Sequence, residues 1–384
     1  MDRISELPDD VLVGILSLLR YRDAVKTACV SRRWERLHAQ LPVVDFTMSY
    51  LNYLRTTLAT PSEQRVRSME RTLRRRCLQG DAVRELSLGF RRDVAMESAY
   101  ADGFAALANA PKLELHVMCA TGLPGEDAGA WSFRLPPATA ELRVLPYWYA
   151  VRPPRIHGPG AATLRSLTLS GPTVLRQEFL LAALPSLEDL HLRYCTLDTG
   201  TVRVASDTMP RLRHLAIADV CVMALDTKAA ISVAADELRT LRVSCHRHNK
   251  IEAPSEDEWF HLPARFHASF TSYSSFRLRA PRLRVFEWRC CYADEVRVES
   301  VGRLSDVAVE IAAGRIPRAF EEERRFVTTA QRDKLMSDIL QGLMPGLHPR
   351  SWANVKSQNA CSVTTGGRAL KSEALLLRSE PKVL

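Results

Sequence analysis

The densest group of side chains that could ligate a metal is Cys245-His246-Arg247-His248, and Cys290-Cys291 is the single adjacent cysteine pair. A structural zinc ion takes four cysteine or histidine ligands, usually delivered as two closely spaced pairs. Neither group has a partner at that spacing, and no Cys-x-x-Cys pair occurs among the nine cysteines. We therefore expect no metal site and no cofactor, and we expect Cys195, Cys245 and Cys291 to be buried as small apolar groups.

Catalytic signatures are also absent from the sequence. It contains neither the Gly-x-x-x-x-Gly-Lys loop that cradles phosphates nor the Gly-x-Gly-x-x-Gly turn of dinucleotide sites. Ser170-Gly171 and the glycines within 122–129 lack the strand-to-helix context of a hydrolase nucleophile. We therefore predict a protein that is not an enzyme and that acts by binding.

Composition limits the classes of partner. The chain has 53 Lys and Arg against 44 Asp and Glu, and its formal charge of +9 would suit nucleic acid or an acidic protein. However, the arginines are spread along the chain, many in Leu-Arg-x-Leu units, so we interpret most of them as solvent-facing. A hydrophobic content of 46% is typical of a globular protein, and no apolar run reaches the roughly 18 residues of a membrane span. The odd cysteine count and the absence of a visible signal peptide favour the cytosol or nucleus.

Residues 1–46 have the pattern of a small helical module. Pro8 suits a first helical turn, and Asp9 and Asp10 follow where the helix dipole is positive. Asp23 is expected to cap a second helix, and Ser31 a third. Apolar residues recur at helical spacing in the first helix: Val11, Leu12, Ile15, Leu16 and Leu19. So short a module leaves an apolar face uncovered, which predicts a binding surface, with a simple cap over the following repeats as the alternative.

From Val83 onward a Leu-x-x-Leu-x-Leu unit recurs, most clearly at Leu187–Leu192. Successive copies between residues 142 and 238 start at intervals typical of leucine-rich repeats, roughly 20–29 residues. Short apolar-x-apolar triplets precede several copies, so we predict one strand in each Leu-x-Leu and a second strand on the return side. The interval from Leu238 to Leu283 is longer. It contains the acidic and aromatic stretch 249–275, which is either an insertion or an eroded repeat.

The predicted fold is an α+β solenoid, in which a three-helix module precedes an irregular leucine-rich-repeat horseshoe with a C-terminal helical cap. Residues 47–82 are predicted to form two linker helices, Ser49–Leu58 and Arg65–Leu78, with the arginines of the second exposed. The repeats occupy 83–312. A helix capped by Thr328 or Thr329 lies within 313–350, and we expect a disordered tail over 351–384 with at most a short helix at Glu373–Leu377.

The N-terminal module resembles an F-box. The resemblance is carried by Leu7-Pro8-Asp9-Asp10-Val11-Leu12, Ile15-Leu16, Leu18-Leu19, Asp23-Ala24-Val25-Lys26-Thr27 and Val30-Ser31-Arg32-Arg33-Trp34. It implies docking onto a Skp-type adaptor, and through it onto a cullin. The positions that match the adaptor-contacting face of the family are Leu7, Pro8, Val11, Leu12, Ile15, Leu16, Val30, Arg32 and Trp34. With the repeats, including the run 280–296, about the first 345 residues resemble the plant F-box/leucine-rich-repeat proteins.

The resemblance implies a substrate-recognition subunit of a Skp-cullin-F-box ubiquitin ligase, in which the repeats hold a protein substrate. The candidate substrate-binding residues flank the Leu-x-Leu pairs and are Asp189, His191, Arg193, His214, Arg242, Glu287 and Arg289. One alternative is a repeat scaffold that binds RNA or an acidic protein through its basic surface. Another is a co-receptor for a small ligand. We expect a protein partner rather than nucleic acid, and no membrane contact.

Overall fold

The structure of the protein is a computed structural model. The described residues are 4, 6–47, 63–91, 95–118, 131–147, 151–171, 173–175, 184–197, 201–222, 230–245, 271–289, 291–311, 315–316, 325–326, 328–344, 361–365, 368–372 and 374–378. The chain divides into two compact units. Unit 1 is Met1–Tyr149 with Pro154–Leu164, and unit 2 is Ala150–Pro153 with Arg165–Leu384. No helix among the described residues is long and apolar enough to cross a membrane.

Unit 1 begins with three short helices: α1 (Asp9–Ser17), α2 (Tyr21–Lys26) and α3 (Arg32–Ala39), with a 3-10 turn at Thr27–Cys29. Pro8 is the N-cap of α1, and the Ser31 hydroxyl accepts a hydrogen bond from the Trp34 amide, as predicted for the start of α3. The prediction that Asp23 caps α2 is wrong. That helix begins two residues earlier, so Asp23 lies in its first turn and pairs with Lys26 at 2.7 Å.

The predicted second linker helix is confirmed as α4 (Glu63–Gln79), whereas the first, at Ser49–Leu58, lies outside the described residues. The prediction that all the arginines of α4 are exposed is wrong at Arg76, which is 2% exposed. Leu78 is likewise not on the packed face, since 88% of it is exposed. The reason is that α4 packs along the side that carries Leu73 and Arg76, three positions apart in the helix.

Strands of unit 1 coincide with the first copies of the repeat. Strands β1 (Val43–Phe46), β2 (Glu85–Arg91) and β3 (Lys112–Met118) are joined in parallel, with helix α5 (Ala95–Ala108) between β2 and β3. After β4 (Ser132–Arg134), strand β5 (Glu141–Tyr147) pairs in parallel with β3. Strand β6 (Arg155–His157) pairs in parallel with β4, and a 3-10 turn follows at Pro159–Ala162.

Unit 2 contains one parallel ladder at the Leu-x-Leu positions. The ladder comprises β7 (Ser166–Ser170), β9 (Asp189–Arg193), β12 (His214–Ala218), β15 (Thr240–Ser244), β17 (Val285–Arg289) and β19 (Asp306–Glu310). Inward residues are buried and alternate with partly or fully exposed ones, because successive side chains of a strand point to opposite faces. Buried Cys195, Cys245 and Cys291 follow three of these strands, as expected.

The predicted return-side strands are present as well. Strands β11 (Thr201–Ala205), β14 (Ala230–Ala234), β16 (Thr271–Ala280) and β18 (Cys291–Val301) form a second parallel sheet. Three two-residue strands form a third sheet, in the order β13 (Cys221–Val222), β10 (Thr196–Leu197) and β8 (Val174–Leu175). Val202, Val204, Ile231 and Val233 of β11 and β14 are buried, as predicted for half-buried strands on the return side.

The registers resolve the long interval before Leu283. Thr240 of β15 lies opposite Val285 of β17, and Ala230 of β14 lies opposite Ser275 of β16. Since both pairs of strands are direct neighbours, the interval is a single repeat with an insertion and not two repeats. Most of the predicted insertion 249–275 lies outside the described residues, and β16 begins within it at Thr271.

The C-terminal part contains helix α6 (Thr329–Leu343), which packs on β18. Thr328 and Gln331 form a capping box at its start, which confirms the predicted cap. Two-residue strands β20 (Arg315–Ile316) and β21 (Arg325–Phe326) pair before it. Within 351–384 the structure contains strands β22 (Cys361–Thr365), β23 (Arg368–Ser372) and β24 (Ala374–Arg378). The expected helix at Glu373–Leu377 is thus corrected, because β24 pairs antiparallel with the otherwise open edge of β19. The expectation of disorder is corrected for these three strands, and the rest of 351–384 lies outside the described residues.

Candidate functional site

Helix α1 carries two rows of apolar side chains, one buried and one exposed. Leu12 and Leu16 are 0% and 1% exposed, whereas Val11 and Ile15 are 42% and 43% exposed and Leu18, directly after the helix, is 86% exposed. Positions 11, 15 and 18 lie along one side of a helix, and positions 12 and 16 lie about 100° further round. One row of side chains therefore packs in the core of the helical module, whereas the other row is exposed to solvent. We call Val11, Ile15 and Leu18 the apolar strip.

The inward row of α1 forms the core of the helical module. Leu12 and Leu16 pack with Ala24, Leu37 and Leu41, and the partly buried Leu7, Val13, Tyr21 and Trp34 pack against that cluster. The prediction of Leu12 and Leu16 as contact residues is therefore corrected. Their side chains support the module from within and do not reach its surface.

The other predicted contact residues lie at or near the surface. Pro8 and Arg32 are exposed, Val30 is 72% exposed, and Leu7 and Trp34 are half-buried. Sequence reasoning missed Leu18 as a contact candidate, together with Leu19 at 45% and Ile4 at 56% exposure. The helical spacing of Val11, Ile15 and Leu18 is the signal that could have identified the exposed row.

Polar contacts fix the beginning of α1 against α3. Arg33 pairs with Asp9 at 2.6 Å and also donates a hydrogen bond to the carbonyl oxygen of Leu7. The Ser31 cap holds the start of α3 in place. The segment with Leu7 and Pro8 is thus held beside the apolar strip by groups on the partner helix.

A buried arginine attaches α4 to the same module. Arg76 donates from Nε to the carbonyl oxygen of Ala39 at 2.6 Å, and from its second terminal nitrogen to the carbonyl oxygen of Leu41. Burial lowers the pKa of Arg76 and raises the pKa of the neighbouring Tyr21, whose rise is opposed by the Arg76 charge. Arg75 adds an ion pair with Glu35 of α3 at 3.2 Å.

The predicted substrate-binding residues lie on one ladder of unit 2. His191, Arg193, His214, Arg242 and Arg289 are exposed, and Asp189 and Glu287 are half-buried. Arg242 lies directly opposite Glu287 in the register. Glu287 pairs with Arg242 at 3.2 Å and with Arg289 at 2.5 Å, so one carboxylate is shared by two guanidinium groups.

Two further relationships organise this face. His214 lies opposite Asp189 on the neighbouring strand. The guanidinium carbon of Arg193 lies 4.8 Å from the centre of the Tyr194 ring, a cation–π contact. Tyr194 has a φ of 55°, an unusual backbone conformation for a bulky residue. The face therefore presents mixed charge and a cation–aromatic pair, which suits contact with another protein.

Within the described part of the chain, no three His, Cys, Asp or Glu side chains are grouped as a metal site.

Comparisons with known proteins agree with the helical module. The F-box-like family model matches residues 4–40. The F-box/LRR-repeat protein At1g55660 of Arabidopsis thaliana is 44% identical over 50 residues, 13% of this chain and 14% of that protein. The putative F-box protein At1g67390 of the same plant is 48% identical over 52 residues, 14% of this chain and 11% of that protein.

A longer similarity extends into the strands. The putative F-box protein At3g29830 of Arabidopsis thaliana is 30% identical over 245 residues, which is 58% of this chain and 48% of that protein. The chain thus spans less than half the length of each of these relatives. No solved structure shows a significant match. Residues 4–40 are therefore an F-box-like domain, and parts of the chain are similar to F-box and F-box/LRR-repeat proteins of Arabidopsis thaliana.

Proposed function

We propose that the chain is the substrate-recognition subunit of a Skp-cullin-F-box ubiquitin ligase and is not itself an enzyme. The observation that carries the proposal is the apolar strip. Val11, Ile15 and Leu18 remain exposed along α1, whose other apolar row, Leu12 and Leu16, is buried in the core. Exposed apolar rows of this kind mark protein interaction sites. The F-box-like match over the same residues supports a Skp-type adaptor as the occupant.

In this function the chain contributes position and no covalent chemistry. The helical module binds the adaptor, and the parallel strands form a leucine-rich-repeat solenoid that presents a protein substrate. Holding the substrate in the same complex raises its effective concentration beside the ubiquitin-loaded enzyme. The complex would act in the cytosol or nucleus, where the buried thiols of Cys195, Cys245 and Cys291 stay reduced. A fluorescent fusion found in a secretory compartment would contradict that location.

The docking surface is tested by co-purification with a Skp-type adaptor. We expect the wild-type chain to form a one-to-one complex and Val11→Asp/Ile15→Asp to lose it, because two carboxylates would have to be desolvated in an apolar interface. The matched control is Val43→Asp/Leu78→Asp, which changes two other exposed apolar residues of unit 1. Binding of the strip variant at wild-type strength, or no complex with wild type, would overturn the proposal.

The substrate-binding face is tested separately with Arg193→Glu/Arg242→Glu. We expect this variant to co-purify with the adaptor and to lose proteins that the wild-type chain captures, because carboxylates replace two of the three exposed guanidinium groups among the candidate residues. Quantitative mass spectrometry of crosslinked complexes supplies the comparison. An unchanged set of captured proteins would place substrate binding elsewhere.

A further inference from the structure

Arginines that are far apart in the sequence occupy one structural position in unit 2. Arg165, Arg213, Arg239 and Arg284 are the residues directly before β7, β12, β15 and β17. Glu188 holds the same position before β9, and Ser305 holds it before β19. We call the four arginines the arginine ladder. The equivalent positions of unit 1 before β2, β3 and β5 are Arg84, Pro111 and Ala140, so this cationic row is a property of unit 2.

Main-chain hydrogen bonds hold the ladder in register. The carbonyl oxygen of Arg239 accepts from the amides of Arg284 at 2.8 Å and Val285 at 2.9 Å. The carbonyl oxygen of Arg213 accepts in the same way from Arg239 at 2.8 Å and Thr240 at 3.0 Å. Neighbouring members on adjacent strands are therefore separated by about 4.8 Å, the spacing between strands.

The charges of the ladder are compensated only in part. Arg213 pairs with Glu188 at 3.0 Å. The acidic residues of the turn before Arg239 are already engaged, since Asp236 pairs with Arg279 at 3.5 Å and Glu237 with Arg282 at 2.5 Å.

The remaining members are exposed cations. Arg165, Arg239 and Arg284 are exposed, and none of them forms an ion pair with another residue of the described ranges. Like charges on neighbouring strands disfavour a sheet. The proximity of Arg239 and Arg284 therefore does not stabilise the fold, whereas an anionic partner would neutralise both positive charges.

We propose that the arginine ladder binds an extended acidic segment of a protein partner. From β7 to β17 the ladder covers four strand steps, about 19 Å. An extended peptide of about six residues spans the same distance. Guanidinium groups donate to carboxylates through two parallel hydrogen bonds, so they suit aspartate and glutamate side chains.

The surroundings favour a peptide over nucleic acid. In the described part of unit 2, Tyr273, Phe276, Phe286 and Trp288 are buried and cannot stack on bases, and the ring of the half-buried Tyr194 is already in contact with Arg193. Four arginines also fall short of the roughly 6–10 phosphate contacts of a strongly salt-dependent nucleic-acid complex. The identification of the acidic segment as part of the substrate rests on the proposed function. Binding of the segment to the arginine ladder requires no adaptor.

The experiment measures fluorescence anisotropy of a labelled hexaglutamate peptide with the full chain. Hexaglutamine and a decamer of uridine are the comparison probes. The test variants are Arg239→Glu/Arg284→Glu and the milder Arg239→Gln/Arg284→Gln. The matched control is Arg277→Glu/Arg297→Glu, which reverses two exposed arginines that also lie directly opposite each other, on β16 and β18. Circular dichroism verifies that each variant is folded.

We expect hexaglutamate to bind and hexaglutamine not to bind, with affinity that falls as salt rises. The Glu variant should lose about tenfold or more in affinity, the Gln variant less, and the control under about twofold. Equal loss in the ladder and control variants would overturn the inference, as would tighter binding of the uridine decamer. Adaptor co-purification of the same variants should be unchanged. Loss of adaptor binding by wild type would instead contradict the proposed function and leave the peptide result standing.

Discussion

Arg76 of α4 donates a hydrogen bond to the carbonyl oxygen of Ala39, at the last residue of α3, over 2.6 Å. The side chain is 2% exposed and also reaches the carbonyl oxygen of Leu41. Carbonyl groups at the end of a helix lack hydrogen-bond donors within the helix, and the Arg76 guanidinium supplies such donors. Since the F-box-like match ends at residue 40, α4 completes a folded unit that is larger than the matched segment.

Replacement of Arg76 by methionine should destabilise unit 1 by about 2–4 kcal/mol, because two buried carbonyl groups lose a charged donor. Methionine keeps most of the apolar volume of the arginine stem, so the loss reports mainly on the hydrogen bonds. Urea denaturation followed by circular dichroism gives the free energy of unfolding. Arg71→Met, at an exposed position of the same helix, is the control. Equal stability of the two variants would show that the buried contacts contribute little.

Leu12→Ala and Ile15→Ala should have opposite consequences although the residues are close neighbours on α1. Leu12→Ala leaves a cavity in the core of the module and should cost about 2–5 kcal/mol. Ile15→Ala removes exposed surface and should cost less than about 1 kcal/mol, but it should weaken adaptor binding. Thermal denaturation and titration calorimetry with the adaptor separate the two effects. A large stability loss for Ile15→Ala would mean that the apolar strip is part of the core.

Stability should decrease as the solution becomes more acidic, in part through His38. Burial lowers the pKa of His38 below its ordinary value of 6.5, and the charges of Arg75 and Arg76 act in the same direction, against the main-chain and charge effects of Glu35. The unfolded chain therefore binds a proton near pH 6.5 that the folded chain resists. This contribution to stability is complete above pH 6.5 and is lost as the pH falls towards the lower pKa of the folded state.

The measurement compares the pH dependence of the unfolding free energy in wild type and His38→Gln between about pH 5 and pH 8. The variant should show the shallower slope, because the other histidines are common to both proteins. Parallel curves would mean that His38 titrates alike in the folded and unfolded states.

Trp288 should be the most sensitive aromatic position of unit 2. It is fully buried, its ring centre lies 4.9 Å from that of Phe276, and its Nε1 donates to the carbonyl oxygen of Cys291 at 3.0 Å. Trp288→Ala should cost about 3–5 kcal/mol through the cavity. Trp288→Phe should cost less, since it keeps a ring but loses the hydrogen bond. Chemical denaturation followed by circular dichroism gives both values, and equal losses would contradict a role for packing volume.

Much of the local structure could be predicted because local patterns determine it. Ser31 and Thr328 cap helices where the sequence indicates them, and the Leu-x-Leu copies are strands. The prediction that Asp23 caps α2 was wrong because the N-cap residue is Arg20, whose side chain forms no capping hydrogen bond. The helix predicted in the C-terminal tail was wrong for another reason. A strand such as Ala374–Arg378 shows no long periodic signal, and its partner, Asp306–Glu310, lies over 60 residues earlier.

The sequence by itself determined which residues are apolar and at what period, and hence the helical module, the repeats and the family resemblance. Only the tertiary structure decided which apolar row of α1 is covered, because a period defines faces but not what packs on them. It also decided that Arg76 is buried and that Arg213, Arg239 and Arg284 form one row. Each of these relationships joins residues that are distant in the chain. Packing between helices buries Arg76, whereas parallel register aligns the arginines through main-chain hydrogen bonds rather than through any local pattern of side chains.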